Sequence, residues 1–302
     1  MRYILLILFT LGYASLPYYN SAICYGPFRD GQRPGGESPT RLQLEEDLNI
    51  ISKHWTVIRL YGSTGVTEDI LKIIKNNNLN LKVFLGAWIA NEIDPIAINS
   101  NKNEINKVIE LANNYSNIVR SVVIGNETQV FWSSNKVDIK ILIKYIQQVK
   151  NSIEQPITTA DDFNFWNKPE AKALKNSIDY LMVHIHPLWG GLQLNDAINW
   201  VSKIYSEIKD IYPENEIIIG ETGWATMVHN EGEQSKLIKG KTGEKEQSIF
   251  YKNINDWSKK NNVSTFFFEV FDENWKGGEH PNEVEKHWGV YNSNRTPKHI
   301  FK

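Results

Sequence analysis

The 302-residue chain has one cysteine, Cys24, which excludes an intrachain disulfide and any thiolate metal cluster. Charge is also sparse: 33 Lys and Arg against 35 Asp and Glu leave a net charge of −2. With no block of like charge, the chain carries no electrostatic footprint for nucleic acid, and none is expected as a partner. Long apolar runs are missing, and the stretch at 4–11 is too short to span a bilayer. There is no repeated unit, no low-complexity segment and no linker that would divide the chain. What is abundant is tryptophan, ten residues beside 13 Tyr and 12 Phe, too many for packing alone to explain.

The N-terminus fits an export signal. Arg2 precedes the apolar run at 4–11, and Gly12-Tyr13-Ala14 offers small residues for a signal peptidase. Residues 1–14 are read as a secretory signal, with an uncleaved membrane anchor as the alternative. The expected location is secreted, periplasmic or cell-surface, or N-terminally membrane-anchored, with no membrane span left after cleavage. Ile23 before Cys24 argues against a lipoprotein signal.

From 15 to 302 the pattern alternates. Strand-like segments at 21–26, 55–60, 81–85, 119–124, 156–160, 180–185, 216–221 and 263–270 are interleaved with helical ones at 41–52, 67–74, 103–112, 138–153, 169–174, 195–208 and 244–259. A polar loop is expected at 229–242. Strands alternating with helices imply parallel pairing and right-handed crossovers. Eight such units in one chain of this length predict a single-domain (β/α)8 TIM barrel. A doubly wound open sheet is the alternative, but no Gly-x-Gly-x-x-Gly follows the first strand.

Two stretches carry the chemistry. Ile217-Ile218-Ile219 reads as a strand buried on both faces, and it delivers Gly220-Glu221-Thr222-Gly223-Trp224. The strand from Val119 to Ile124 ends in the same way, in Gly125-Asn126-Glu127. A carboxylate at the end of a buried strand is costly to ionise unless the site is built for it. Each alone could be a helix N-cap or a loop carboxylate; the pair points to one site with two catalytic carboxyls.

In a (β/α)8 barrel the chemistry lies at the carboxyl ends of the strands. Those ends hold Tyr25, Arg59, Tyr61, Trp88, Asn126, Glu127, Asp161, His184, His186, Trp189, Glu221, Trp224, Glu269, Glu273, Trp275 and Lys276. A sugar suits this mixture, because its apolar faces stack on indoles and its hydroxyls need carboxylate, amide and basic partners. Trp132 and Trp166 fall in loops at the same end, while Trp55, Trp200 and Trp257 are assigned to the core. Two carboxyls in a tryptophan-lined cleft are the minimum equipment of a glycosidase. Arg59 either keeps a neighbouring carboxyl ionised or forms a structural ion pair inside the barrel. His184 and His186 lie two apart on one strand face, as in metal-dependent hydrolases, but no other histidine falls at a strand end. No metal or other cofactor is expected. His186 is assigned to sugar hydroxyls, and core packing stays open for His184.

These segments resemble glycoside hydrolase family 17, the β-1,3-glucanases and β-1,3-glucan transglycosylases. The resemblance rests on Cys24-Tyr25-Gly26, Arg59-Leu60-Tyr61-Gly62, Gly125-Asn126-Glu127, Gly220-Glu221-Thr222-Gly223-Trp224, Phe271-Asp272-Glu273-Asn274-Trp275-Lys276 and Trp288-Gly289-Val290-Tyr291. It implies a retaining mechanism with Glu127 as acid/base and Glu221 as nucleophile, and Asn126 on the sugar 2-hydroxyl. Glu273, Lys276 and Glu285 would form a charged network beside the nucleophile. Ala225-Thr226 and Asn274 depart from the family's usual Pro-Ser and Pro. The expected activity is hydrolysis of β-1,3-glucan by a monomer, with transglycosylation or catalytically silent glucan binding as alternatives.

Overall fold

β-Branched and aromatic residues make the strands, and their burial on both faces explains why they read as continuous apolar runs. In the computed structural model the described residues are Leu16, Tyr18, Tyr19 and 21–302; the leader expected at 1–14 lies outside them. Eight strands form the barrel: β1 (Ala22–Cys24), β2 (Val57–Arg59), β3 (Lys82–Ala87), β4 (Val119–Asn126), β5 (Ile157–Asp162), β6 (Leu181–His184), β7 (Ile217–Thr222) and β8 (Thr265–Phe267). They pair in sequence order, all parallel, and β8 closes on β1 through Ala22 opposite Phe266. The chain is a (β/α)8 barrel, as the alternation predicts.

The helices on the outside are α1 (Arg41–Ile51), α2 (Thr67–Asn76), α3 (Pro95–Asn114), α4 (Ile139–Lys150), α5 (Phe163–Trp166), α6 (Ala171–Lys175), α7 (Leu194–Ile211), α8 (Gly232–Leu237) and α9 (Glu244–Asn261). Each long one buries a single stripe: in α7 it is Ala197, Val201, Ile204 and Ile208. Their starts follow capping chemistry. Thr40 and Gln43 form a capping box at α1, and Asp94 accepts from Ala97 N at α3 with Pro95 in the first turn. Because of that cap α3 begins at Pro95 rather than at the expected 103. α8 lies within the stretch read as a polar loop, and β8 is shorter than the expected 263–270.

The lower barrel is filled with aromatic rings. Phe84 from β3 packs edge-on against Phe266 from β8, with centroids 4.9 Å apart, and near Tyr180 at 6.4 Å. Tyr180 in turn shares a 2.7 Å hydrogen bond with Ser121 of β4.

Outside the barrel, Asp47 of α1 is fully buried and receives Arg295 as a fork, Nε to Oδ1 at 2.8 Å and Nη2 to Oδ2 at 2.7 Å. Arg29 Nη2 donates to the same carboxylate at 2.8 Å, and Tyr25 donates its hydroxyl at 3.1 Å. Tyr25 was expected to face a sugar. It points instead into the β1–α1 interface, where its hydroxyl satisfies Asp47 and its ring meets Phe271 edge-on. The cluster ties the C-terminal segment to the first helix. Asp47→Ala leaves Arg295 buried without its charge partner, and is expected to cost about 3–5 kcal/mol in urea unfolding. Arg41→Ala, in the exposed pair with Glu45, is expected to change stability by no more than about 1 kcal/mol.

Candidate active site

The site grows from Arg59, the last residue of β2, whose side chain is buried and crosses the barrel mouth. Its Nη1 lies 2.9 Å from Glu221 Oε1, 2.9 Å from Gly220 O and 2.9 Å from His184 Nε2. Its Nη2 donates to Asn126 Oδ1 at 2.6 Å. One guanidinium therefore joins β2 to β4, β6 and β7. Because a guanidinium only donates, Asn126 must present its oxygen to it, which leaves the amide NH2 group to face the cleft.

Glu221 sits in β7 with its carboxylate held on several sides. Tyr61 donates its hydroxyl to Oε1 at 2.8 Å, and His186 Nε2 lies 3.3 Å from Oε2. Burial works against ionisation here, but the hydrogen bond from His186 and the guanidinium of Arg59 outweigh it and hold the carboxyl far below its ordinary range. Burial likewise opposes protonation of His186, and the hydrogen bond and charge of Glu221, with Glu127 and Glu285 behind it, raise it above its usual value.

Glu127 stands just past β4 with φ of +48°, after Gly125 at +80°. A non-glycine residue in this region is uncommon and bends the chain out of the ladder, so that the side chain turns over the barrel mouth. The carboxyl is about one-third exposed, and His184 Nδ1 lies 2.9 Å from its Oε1. One oxygen of Glu127, one of Glu221 and a ring nitrogen of His184 all lie within 4.8 Å of one another. That cluster is tight enough to share a cation, and Arg59 supplies one from 2.9 Å.

A second charged group lies beside the first. Lys276 Nζ is 2.7 Å from both oxygens of Glu269 and 2.9 Å from Glu273. Burial, reinforced by Glu273 and Glu221 and opposed by Lys276, pushes Glu269 well above the carboxylate range. Glu273 also accepts from Phe28 N and from Trp275 Nε1, and it lies where a Cβ on residue 26 would come within 2.3 Å of its Oε2. Gly26 is needed there for close approach. Glu285 is not paired to Lys276 directly; it accepts from Trp189 Nε1 at 3.1 Å. At the end of β5, burial pushes Asp162 up to about 6, with Glu127 adding to the rise and hydrogen bonds from Asn164 opposing it.

The structure brings together Arg59, Tyr61, Asn126, Glu127, His186 and Glu221, and places Glu273, Trp275 and Lys276 in one adjoining group. Trp88 and Trp275 are exposed past β3 and β8, while Trp189 is partly buried against Glu285. Trp224 does not face the cleft. It is fully buried, its Nε1 donates to Lys241 O at 3.0 Å, and its ring lies 5.5 Å from Phe250 of α9. Trp166 is likewise core, donating to Met182 O. Residues given no role from sequence are Glu269, Asp162, His184 and Trp288, whose ring packs 5.2 Å from His186. Glu269 and His184 were visible as strand-end residues; Trp288 was marked only by its place in the Trp288-Gly289-Val290-Tyr291 segment.

Comparison with known proteins agrees with this fold. A family model described as the BtgE/BtgC glycoside hydrolase domain matches residues 22–289. A btgC protein of Aspergillus niger is 29% identical over 281 residues, which are 86% of this chain and 40% of the relative. This chain thus spans about two-fifths of that relative's length. A glucan 1,3-beta-glucosidase of Arthroderma benhamiae is 27% identical over 88% of this chain and 86% of its own. Among solved structures, an endo-laminarinase from Formosa superposes with a TM-score of 0.82 at 25% identity, covering 94% of this chain and 87% of the other. A Rhizomucor miehei beta-1,3-glucanosyltransferase shares the fold, with a TM-score of 0.73 at 23% identity over 93% and 96% of the two chains.

The electrostatics give a direct test. A depressed carboxyl keeps its charge until the pH falls through its low folded value, so removing the cation must move titration upward. In Arg59→Met, 13C NMR of labelled glutamate is expected to show Glu221 protonating at higher pH than in the unsubstituted protein. An unchanged titration would show that Arg59 is not what holds its charge.

Proposed function

The chain belongs to the BtgE/BtgC glycoside hydrolase domain family, and we propose that it is a retaining β-1,3-glucan hydrolase of the family 17 type, acting within the polymer. The observation that carries this reading is the placement of oxygens of Glu127 and Glu221 within 4.8 Å. Retaining glycosidases keep their carboxyls about 5–5.5 Å apart, whereas inverting ones need roughly 6.5–9.5 Å to admit a water. The names of the relatives support the choice of glucan.

The roles follow from the contacts. Glu221 is ionised and its Oε1 is engaged by Arg59 and Tyr61, so Oε2 is the oxygen that attacks the anomeric carbon. Glu127 donates its proton to the departing glycosidic oxygen, then takes one from the water that cleaves the glycosyl ester on Glu221. The Asn126 amide, oriented by Arg59, donates to the 2-hydroxyl of the sugar undergoing attack. Trp88 and Trp275 offer ring faces to further sugar units. The leader expected at 1–14 would deliver the enzyme, as a monomer, outside the cytoplasm.

Incubation with laminarin tests the activity. Shortened oligomers are expected; lengthened ones would mean transfer to a sugar acceptor, and binding without turnover a silent barrel. Glu221→Ala should lose activity on every substrate. Glu127→Ala should lose about 10²–10⁴-fold on laminarin. With an activated aryl β-glucoside of suitable length it should still form the covalent intermediate, and azide should release that as the β-azide. An α-azide would overturn the assignment. Trp275→Ala should weaken glucan binding about fivefold, the loss of roughly 1 kcal/mol of stacking. Unchanged affinity by calorimetry would remove this residue from the site.

A further inference from the structure

His184 is fully buried between the two carboxyls, yet the roles above give it nothing to do. Its ring is fixed on three edges. Nε2 lies 2.9 Å from Arg59 Nη1, Nδ1 lies 2.9 Å from Glu127 Oε1, and a Cβ on residue 220 would come within 3.3 Å of Cδ2. The same Cβ would meet Met182 Cγ at 2.4 Å first, so Gly220 admits Met182 and lets the ring edge lie close beside it.

These contacts determine where the ring proton is. A guanidinium has only donors, so the imidazole nitrogen facing it must accept. A proton on Nε2 would point at the Arg59 N–H 2.9 Å away, with only the longer 3.4 Å contact to Glu221 Oε1 to compensate. The remaining nitrogen, Nδ1, then carries the hydrogen and donates to Glu127 Oε1. The charged and titratable groups facing the ring are Arg59 from β2, Glu127 past β4, Asp162 opposite it in the β5 register, His186 beyond it on the same segment, and Glu221 from β7.

We propose that His184 is a positioning residue for Glu127: locked by Arg59 as the neutral Nδ1–H tautomer, it holds Glu127 Oε1 as a hydrogen-bond acceptor in both protonation states and so assigns all proton transfer to Oε2. This rests on Glu127 being the acid/base. In the first half-reaction the proton leaves Oε2 for the glycosidic oxygen as the bond from that oxygen to the anomeric carbon breaks and Glu221 Oε2 bonds to that carbon. In the second, water gives its proton to Oε2 as its oxygen displaces Glu221. Oε1 keeps its hydrogen bond throughout. Negative charge moves from Glu221 to Glu127 in the first step and back in the second. Arg59 touches Glu221 directly and polarises Glu127 through the imidazole, so one fixed cation serves both states without moving.

Two measurements test this. In 15N-histidine-labelled protein at neutral pH, with His184 assigned by its loss in His184→Asn, the ring should carry hydrogen on Nδ1 and show a bare Nε2. An imidazolium, or hydrogen on Nε2, would overturn the proposal whether or not the protein cleaves glucan. The second measurement is kinetic. His184→Leu should lower kcat on laminarin about 10²-fold with KM little changed, the penalty for a catalytic group displaced by about 1 Å. The burst of aryl leaving group from a dinitrophenyl laminarioligosaccharide, whose departure needs no acid, should persist. His184→Asn, whose amide NH2 can stand near the Nδ1 position, should recover most of the loss. A burst lost in parallel with laminarin turnover, or no recovery in His184→Asn, would reduce His184 to a structural residue. Absence of laminarin cleavage in the unsubstituted protein would instead sink the glucanase reading, with the tautomer still measurable.

Discussion

The buried guanidinium of Arg59 is the constraint on which the site depends. Removing a cation from water costs several kcal/mol even after the protein relaxes, and the cost is offset only where geometry is good and the donors are satisfied. Here Glu221 supplies the opposite charge, and Gly220 O, His184 Nε2 and Asn126 Oδ1 supply acceptors for Nη1 and Nη2, while Nε alone is buried without a partner. The ring of Tyr61 lies 4.8 Å from the guanidinium carbon. Lysine could not take this place, because a single ammonium cannot point donors in a plane toward three strands at once. Cys24, the register partner of Arg59 in β1, is small and leaves room for the side chain to cross.

The second cation, Lys276, solves a different problem. It lies among Glu269 and Glu273, both buried, and burial drives Glu269 toward its neutral form. Lys276 thus faces two carboxyls, and Arg59 faces Glu221. Glu127 is then left without a formal counter-charge of its own and meets only the N–H of His184. That suits a group that must hold a proton at one moment and release it at the next. At the end of β5, Asp162 is pushed up to about 6, first by burial and then by the charge of Glu127.

Much of this was legible in the chain. Ile217-Ile218-Ile219 and Val119 to Ile124 can hardly be anything but buried strands, and the Gly and Glu that close each one announced the two carboxyls. The loops were harder. α8 lies in a stretch of polar residues with no apolar stripe, and it is a single short turn held by loop contacts such as Gln234 Nε2 with His229 Nε2 at 2.7 Å. The start of α3 was missed although Asp94-Pro95 is a strong local signal, because the first buried residue comes later, at Asn101. His184 could be placed from its strand but not understood. Its role depends on what Arg59 does with its donors, and no sequence spacing encodes the distance between β2 and β6.

Two of the three aromatic residues wrongly placed at the cleft, Tyr25 and Trp224, share one physical cause. Side chains along a strand alternate between the barrel interior and the helix layer. Arg59 points inward, and so does its register partner Cys24, so Tyr25 must point outward, toward Asp47 of α1. In β7 Glu221 points inward opposite His184, which sends Trp224, three residues on, into the layer of α9, where Phe250 meets it. Trp88 differs because it is an even number of residues beyond Phe84, whose ring fills the barrel interior, and it is exposed. Position at a strand end was therefore too coarse a criterion. Parity counted from a residue already known to face inward separates Trp88 from Tyr25 and Trp224. Arg59, Phe84 and Glu221 provide that reference here, whereas Glu127, with its positive φ, cannot. The ladder register shifts beside both carboxyls, between Val123 and Asn126 in β4 and between Ile219 and Thr222 in β7, so each strand is re-aimed where it delivers its glutamate.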